Sequence, residues 1–520
     1  MPARSQPPDL SLTVDGEAVT VPDDGSSLLD VLRDGLGHRS VKDGCSPQGQ
    51  CGCCTVLVDG QPRVACVTPA RRVRGRAITT VDGLNAADRD RWADAFCATG
   101  ASQCGFCTPG IVCRLEGLRA KQPAADHAAV EQALLAHLCR CTGWRTIIDA
   151  WDLVLAGDAV PARDLDAAST RAALETGGPQ RVAPGVALGQ GGFSDDEAPL
   201  DALVAVPDGH DGWAVGVTLA DARARAGKVQ GRRTTVDAVP PLEVPPGEWA
   251  ATLRTSWVEP AYLEPDASWC EPGGEPHTPL ANGGAFGGKL HATVGEAARA
   301  LADEHGQAVR VLLSREDVVR LGPKRPPVAG GATAEGRGTL RVVRTPGIAA
   351  AIATVAPGLT VEEVDVLGPP TSADLRAAGW AEAVVLLAGA EGATAPVTDP
   401  VTGAVAEAEI GDDGIRVRID AGDPLDEVVL RSYATGAAHM ALSWLSREGI
   451  AVDDAGEVHD LTIRSFGVLR AVDTPPIEIE IVPSRATPAR GGDAVFAAVA
   501  AAAWLHLGCP TDWPTGARWR

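Results

Sequence analysis

The chain has 520 residues, 45% of them apolar, and carries 68 acidic side chains against 46 Lys and Arg, a net charge of −22. This length predicts three or four domains, and the apolar content is sufficient for buried cores, which excludes global disorder. The negative charge disfavours binding to nucleic acid or to an anionic membrane, so the expected partners are other proteins and a small-molecule substrate.

The N-terminus, MPARSQPPDL, has no apolar stretch of the kind that a secretory signal requires. The longest apolar run, 494–507, is too short to cross a bilayer and predicts a buried helix. We therefore expect a cytoplasmic protein with no membrane partner. Of the 13 cysteines, 11 precede Gly143. Clustered thiols in a reducing compartment indicate metal or redox chemistry rather than disulfides.

The first segment predicts a small mixed sheet that carries one helix. Apolar and polar residues alternate over 10–14 and 18–21 around an Asp-Gly turn, which is typical of a β-hairpin. A short helix is expected over 26–37. A second hairpin over 54–66 and a strand over 77–81 follow. We assign residues 8–84 to this domain.

The first thiol set of this domain has the spacing C-x5-C-x2-C-x11-C and consists of Cys45, Cys51, Cys54 and Cys66. A [2Fe–2S] cluster needs thiolates on a glycine-rich backbone that wraps it closely, and plant-type ferredoxins use a similar C-x4-C-x2-C run. A structural zinc site is the alternative, because four cysteines also form a tetrahedral cage. Three of these cysteines share one loop, which favours the cluster. Cys53 is a surplus thiol between two of them.

Residues 85–157 have apolar positions at the i, i+3, i+4 spacing of four successive helices, which predicts a compact bundle. A second thiol set lies here as a C-x2-C and a C-x-C pair: Cys104, Cys107, Cys139 and Cys141. Residues 158–200, rich in Pro, Gly, Asp and Ala, predict a linker. From 201 to 520, helical segments alternate with strands such as 415–419 and 477–482, which indicates α/β architecture.

The motifs GCSPQGQCGCCTV, VACVTP, QCGFCTPG and LCRCTGW together resemble the iron–sulfur subunit of the molybdenum hydroxylase family, the group of xanthine dehydrogenase, aldehyde oxidase and aerobic carbon monoxide dehydrogenase. The resemblance covers residues 8 to about 157 and departs in the longer C-x5-C spacing. It implies an α+β multidomain fold: a ferredoxin-like β-grasp domain and a four-helix domain, each with one [2Fe–2S] cluster, before the α/β region. It also implies that Gln103 and Cys139 approach a molybdopterin cofactor.

Residues 201–520 resemble a shortened molybdopterin-binding subunit of the same family, through YLEPDASWC, GGAFGGK, SREDVVR and the stretch 420–450. The resemblance implies that Phe286, Gly287 and Gly288 line the metal pocket. It also puts Asp493 at the position of the family's glutamate base, with a side chain one methylene shorter. We find no AYR-G-type arginine loop, which in the family contacts the substrate.

These observations favour an electron-transferring iron–sulfur component of a molybdenum hydroxylase-type oxidoreductase, which passes electrons from a molybdopterin site through two [2Fe–2S] clusters to a flavin or another acceptor. The expected partners are a catalytic subunit that holds the molybdopterin and an FAD subunit, because no flavin domain is found. Two alternatives stay open: a self-sufficient compact molybdenum hydroxylase with Asp493 as base, and a zinc-binding assembly scaffold without enzymatic activity.

Overall fold

The computed structural model describes residues 9–157, 160, 162–227 and 236–520. The described strands are β1 (Asp9–Val14), β2 (Glu17–Pro22), β3 (Thr55–Val58), β4 (Gln61–Val64), β5 (Ala77–Thr79), β6 (Leu203–Pro207), β7 (Trp213–Gly216), β8 (Ala251–Thr255), β9 (Ala267–Cys270), β10 (Val309–Leu312), β11 (Val328–Ala332), β12 (Gly338–Val343), β13 (Leu359–Val364), β14 (Val397–Thr398), β15 (Val405–Gly411), β16 (Gly414–Asp420), β17 (Ile477–Ile481) and β18 (Asp512–Trp513).

The described α-helices are α1 (Leu28–Asp30), α2 (Ala86–Thr99), α3 (Thr108–Lys121), α4 (His127–Ala133), α5 (Arg145–Ala156), α6 (Leu165–Thr176), α7 (Pro184–Ala187), α8 (Ser194–Glu197), α9 (Leu219–Ala226), α10 (Val294–His305), α11 (Arg315–Leu321), α12 (Ile348–Val355), α13 (Trp380–Glu391), α14 (Glu427–Ser446) and α15 (Gly492–His506). A wider turn over Val31–Gly35 continues α1.

The N-terminal unit is a five-stranded mixed sheet in the order β2-β1-β5-β3-β4. Strand β1 pairs antiparallel with β2 and parallel with β5, and its alternate residues Leu10, Leu12 and Val14 are buried. The alternation therefore sets which face of β1 meets the core. Ser27 begins α1 with a capping box to Asp30, as the sequence predicts for a helix start.

The next unit contains the four predicted helices, α2 to α5. Asn85 and Asp126 cap α2 and α4 through their side chains, and glycines in the left-handed conformation end α2 and α5. Helix α4 ends at Ala133, because the chain forms a tighter 3-10 turn over Leu134–Ala136 and then enters the loop that carries Cys139 and Cys141.

The stretch 158–200 differs from a plain linker, because it contains α6, α7 and α8. Asp164 caps α6, and Gly177 ends it. Arg171 and Glu175 of α6 form a buried ion pair, and Glu175 accepts backbone hydrogen bonds from the residues that begin α15. The segment therefore packs against the rest of the chain. The domain boundaries stay predictions, and residues 8, 158, 159 and 161 lie outside the described part.

Three further sheets, in the orders β7-β6-β10-β9, β13-β12-β11-β8-β18 and β14-β15-β16-β17, form the C-terminal region together with helices α9 to α15. The apolar run predicted to be a buried helix is α15, which packs in the largest core beside α14. None of the helices in the described residues combines the length and the hydropathy that a bilayer span requires. The mixed α/β multidomain architecture is the one predicted.

Candidate iron–sulfur sites and the adjoining pocket

The first thiol set lies in the loop after α1 and at the open end of the β3–β4 hairpin. All four side chains are buried. Antiparallel pairing of β3 with β4 brings Cys54 and Cys66 together, and the Cys66 amide lies 3.4 Å from Cys54 Sγ. The other two cysteines belong to one turn, in which the amides of Gln50 and Cys51 donate to Cys45 Sγ at 3.4 and 3.3 Å.

These contacts favour the thiolate form of Cys45, whereas the thiols of Cys51 and Cys66, which donate to it, have raised pKa values. Hydrogen bonds from the thiols of Cys51 and Cys66, followed by the backbone amides, hold the pKa of Cys45 well below its usual value against the effect of burial. Gly52 shapes the loop: its φ is +76°, and a Cβ there would lie 2.5 Å from the ring of His137. Four buried sulfurs with amide donors fit a [2Fe–2S] cluster, which supplies reversible one-electron transfer when bound.

The second thiol set lies where α3 and α5 begin. Cys107 is the residue before α3, and Cys139 and Cys141 lie in the loop before α5. The sulfurs of Cys104 and Cys141 are 3.7 Å apart. Two thiolates bound at about 2.3 Å to one tetrahedral metal lie about 3.8 Å apart, so this pair has the separation expected for one metal ion.

The remaining pair of the second set is Cys107 and Cys139. The hydrogen bond from the Cys107 thiol, together with one from Thr142, lowers the pKa of Cys139 to about 6. Among the described residues, no group of three or more His, Cys, Asp or Glu side chains is arranged around a single metal ion. The contacts between Cys104 and Cys141 and between Cys107 and Cys139 divide the second set into two sulfur pairs, which fits a two-iron cluster with two thiolates on each iron.

One hydrogen bond joins the two thiol sets. The amide of Leu138, which precedes Cys139, donates to the carbonyl of Cys51 at 3.0 Å. Helix α3 approaches the same loop so closely that a Cβ on Gly110 would lie 2.8 Å from the carbonyl oxygen of Cys53. Cys53 itself is buried, with its thiol 3.9 Å from the Cys51 carbonyl. The loops that carry the two thiol sets are therefore in direct backbone contact.

Helix α14 covers the second thiol set. Gln103 donates from Nε2 to the carbonyl of Cys141 and to Ser432 Oγ of α14, both at 2.9 Å. Both N–H groups of this amide are thereby used, and Cys139 is buried with its sulfur 3.1 Å from Thr142 Oγ1. As they stand, Gln103 and Cys139 do not fit contact with a pterin. Their assignment to that cofactor stays a prediction that would require Ser432 to release the amide.

The GGAFGGK loop contacts the second thiol set from the other side. A Cβ on Gly284 would lie 2.6 Å from Cys141 Sγ. Phe286 of this loop lies under the guanidinium of Arg376, 3.8 Å from the ring centroid, and accepts the backbone hydrogen bond of Arg376 at 3.1 Å. Gly287 and Gly288 follow in the same turn, so the three predicted pocket residues lie together beside the thiols.

Asp493, the predicted base, is 9% exposed at the start of α15. Its carboxylate forms ion pairs with Arg376 at 3.3 Å and with Arg490 at 3.4 Å. A cavity of about 320 Å³ opens beside Asp493 and Phe286 and is lined by three cationic side chains: Lys289, Arg376 and Arg490. Asp493 and the GGAFGGK loop are therefore brought together, and Arg376 is the residue between them.

Arg376 is a site residue that the sequence analysis missed. It lies in DLRAAGW, where Ala377 stands after the arginine and has a φ of 53°, a left-handed conformation that favours glycine. Because alanine, not glycine, follows Arg376, the stretch does not match an AYR-G pattern, and the positive φ could not be read without the structure.

Comparison with known proteins follows the same division of the chain. Residues 12–77 match the family described as 2Fe-2S iron-sulfur cluster binding domain, and residues 80–152 match the [2Fe-2S] binding domain. A probable xanthine dehydrogenase subunit from Bacillus subtilis is 37% identical over 140 residues, which cover 26% of this chain and 79% of the relative. A nicotinate dehydrogenase small FeS subunit from Eubacterium barkeri is 36% identical over 137 residues, 26% of this chain and 87% of that subunit.

The fold of nearly the whole chain is similar to that of the aldehyde oxidoreductase from Desulfovibrio gigas, with a TM-score of 0.68 at 14% identity, covering 95% of this chain and 97% of that chain. This similarity confirms the predicted fold class, and the relatives confirm the family resemblance. The chain belongs to the molybdenum hydroxylase family of oxidoreductases, the group that includes xanthine dehydrogenase and aldehyde oxidoreductase.

Proposed function

We propose that the chain is the electron-transferring iron–sulfur component of a molybdenum hydroxylase-type oxidoreductase in the cytoplasm. The first thiol set would hold one [2Fe–2S] cluster and the second set another. Electrons would arrive from a catalytic subunit that carries the molybdopterin and leave to an FAD subunit or another acceptor. In this proposal residues 8–84 and 85–157 are the two cluster domains, 158–200 connects them to the rest, and 201–520 is a shortened molybdopterin-binding-like region.

The observation that carries the proposal is the hydrogen bond from Leu138 to the Cys51 carbonyl at 3.0 Å. It links a residue of the first thiol set to the neighbour of Cys139 in the second. Such a contact keeps two redox centres at a fixed separation, so that each transfer occurs without movement of the protein. A pair of unrelated structural zinc sites would need no such contact.

A partner for the molybdenum chemistry is supported by the names of the relatives. Two of them are small subunits, of nicotinate dehydrogenase and of nicotine 6-hydroxylase, so each names one part of a larger enzyme. Within this chain, Gln103 donates a hydrogen bond to Ser432, and Asp493 forms ion pairs with two arginines. These contacts support electron transfer to and from partners rather than self-sufficient catalysis by Asp493.

Metal and sulfide analysis of the anaerobically purified full chain tests the proposal. We expect four iron and four acid-labile sulfide per chain, a red-brown colour and two paramagnetic signals after reduction with dithionite. The matched variants C51S and C107S each remove one ligand, of the first and the second set, and each should abolish a different signal. Colourless protein with zinc and no labile sulfide would overturn the proposal in favour of the scaffold.

The self-sufficient alternative has its own readout in the same preparation. Purification together with the neighbouring subunits should place the molybdenum in the partner polypeptide and leave this chain with iron only. One molybdenum per chain after separation, with oxidation of a substrate by the chain alone, would contradict the relay function and support catalysis at Asp493. Loss of that activity in D493N would then complete the reassignment.

A further inference from the structure

Arg315 is a buried cation of the C-terminal region that contacts the first thiol loop. It is the first residue of α11 and is 1% exposed. Its Nε and Nη2 donate to the carbonyl of Gly44 at 3.3 and 3.1 Å, and Nη2 also donates to the carbonyl of Leu263 at 2.9 Å. Gly44 immediately precedes Cys45, so the guanidinium is one peptide unit from a predicted ligand.

The backbone that Arg315 contacts lies against the sulfurs. A methyl group placed on Gly44 would lie 3.2 Å from Cys51 Sγ and 2.9 Å from the Leu263 carbonyl oxygen. Arg315 and Cys45 also line the same internal cavity of about 50 Å³. The guanidinium, the Gly44 carbonyl and the thiols of the first set therefore pack together, and the side chains of Arg315 and of the four cysteines are buried.

The charge of Arg315 is not neutralised by direct contact in the described part of the chain. All of its hydrogen bonds there go to backbone carbonyls, and Nη1 has no hydrogen-bond partner. Two other arginines on the same cavity differ, because Arg33 and Arg310 both form ion pairs with Asp195. Asp266 lines the same cavity without an ion pair to Arg315; burial raises the pKa of its carboxyl, and Lys289 and Arg315 oppose that rise. Since burial penalises a charge that lacks a direct partner, a further negative charge on the adjacent cluster would be stabilised by this guanidinium.

We propose that Arg315 is a positioning residue that holds the Gly44 carbonyl and raises the reduction potential of the cluster on Cys45, Cys51, Cys54 and Cys66. The proposal rests on the proposed function, since it requires that cluster. When one ferric ion is reduced to ferrous ion, the site gains one negative charge, and the electron comes from the second cluster or, in vitro, from dithionite. Arg315 stabilises this charge more than that of the oxidised site, and net charge and hydrogen bonding are what set such potentials.

This role gives the C-terminal region a part in electron transfer without a pterin of its own. The arginine belongs to SREDVVR, far along the chain from the cysteines, and reaches them only because α11 packs on the first domain. A higher potential at the first thiol set favours the direction of flow from the second set toward it. The region therefore sets the driving force between the two centres.

The test is a potentiometric titration of the full holo-chain followed by the paramagnetic signals, with C51S and C107S used to assign each signal. In R315Q the charge is lost, and we expect the ratio of reduced to oxidised first site at a fixed potential to fall at least tenfold, which is 59 mV for a one-electron couple. The second signal should not shift. R315K keeps the charge and should shift less than R315Q.

The matched control is R223Q, on the same cavity. Arg223 is 34% exposed and lies 3.9 Å from Asp43, so solvent screens its charge and the shift should be less than twofold. An unshifted first signal in R315Q, or an equal shift of both signals, would overturn the role of Arg315. If R315Q loses its first signal altogether, R315K decides: a wild-type potential with intact iron supports the role of the charge, and a tenfold shift refutes it. Absence of labile sulfide in the wild type would instead refute the proposed function.

Discussion

The ion pair between Arg140 and Glu448 gives the sharpest test of how the C-terminal region is held on the second thiol set. Arg140 lies between Cys139 and Cys141, and its Nη1 and Nη2 donate to the two carboxylate oxygens of Glu448 at 2.5 and 2.8 Å. The two side chains are 4% and 1% exposed. The remaining hydrogen bond of the guanidinium goes from Nε to the Pro260 carbonyl at 2.9 Å.

Truncation in E448A leaves the guanidinium buried with only the Pro260 contact. Breaking a buried pair in this way costs about 3–5 kcal/mol, because the desolvated charge loses its partner. A small unit such as the helical one that contains Arg140 unfolds with a urea dependence of about 2 kcal/mol per M, so the midpoint of that unit should fall by roughly 2 M. The assay is urea unfolding of the holo-chain followed by the visible absorbance of the clusters, which reports the part of the molecule that contains Arg140.

Two comparisons make this prediction decisive. In E407A the lost pair with Arg418 is long, 3.6 Å, and about half exposed on both sides. The free energy of unfolding should therefore change by less than about 0.5 kcal/mol, and the midpoint by less than about 0.25 M. In the double variant R140M/E448M no charge is left unpaired, and most of the stability should return. If E448A unfolds at the wild-type midpoint, or if the double variant is as unstable as E448A, the account of this pair is wrong.

Three other predictions concern the same contacts. A Cβ on Gly436 of α14 would lie inside 3.0 Å of the Cys141 carbonyl oxygen, so the free energy of unfolding of G436A in urea should fall by about 2 kcal/mol. In the control G295A the nearest neighbour of the new Cβ is 3.4 Å away, and the free energy of unfolding should not fall. Burial raises the pKa of Glu264 from 4.5 to about 7 in spite of Lys289. The stability that this raised pKa contributes, up to about 3 kcal/mol, is therefore present below pH 4.5 and is lost as the pH rises to 7. The melting temperature of E264Q should depend less on pH between 4.5 and 7 than that of the wild type, and an unchanged pH profile would contradict the assignment. C51S should retain about half of the iron, and complete loss would show that the second site depends on the first.

The elements of the first 157 residues were predictable because their signals are local. Alternation in β1 and the Asp-Gly turn before β2 specify a hairpin within a dozen residues, and cysteine spacing specifies each thiol set. Even α6, in the stretch predicted as a linker, had local signals in Asp164 before it and Gly177 after it. Those signals were outweighed by the Pro and Gly content of the flanking sequence.

The buried cations of the site were not predictable for a different reason. Arg140 meets Glu448, and Arg315 meets Gly44, across separations of 308 and 271 residues. An arginine in a sequence is by default a solvated side chain, and only the packing of distant elements decides which one loses its water. Arg376 is a third example, since the residue after it is Ala377, whose left-handed backbone conformation the sequence does not indicate.

The cover that α14 forms over the second thiol set has a consequence for how the holoprotein is made. All eight predicted ligand thiols are buried, and Ser432 of α14 accepts a hydrogen bond from the Gln103 amide, which also donates to the Cys141 carbonyl. If the clusters are inserted after synthesis, we therefore expect iron and sulfide to enter before the C-terminal half docks. We expect protein produced in cells with ample iron to contain both clusters, and protein treated with iron and sulfide after folding to remain without them.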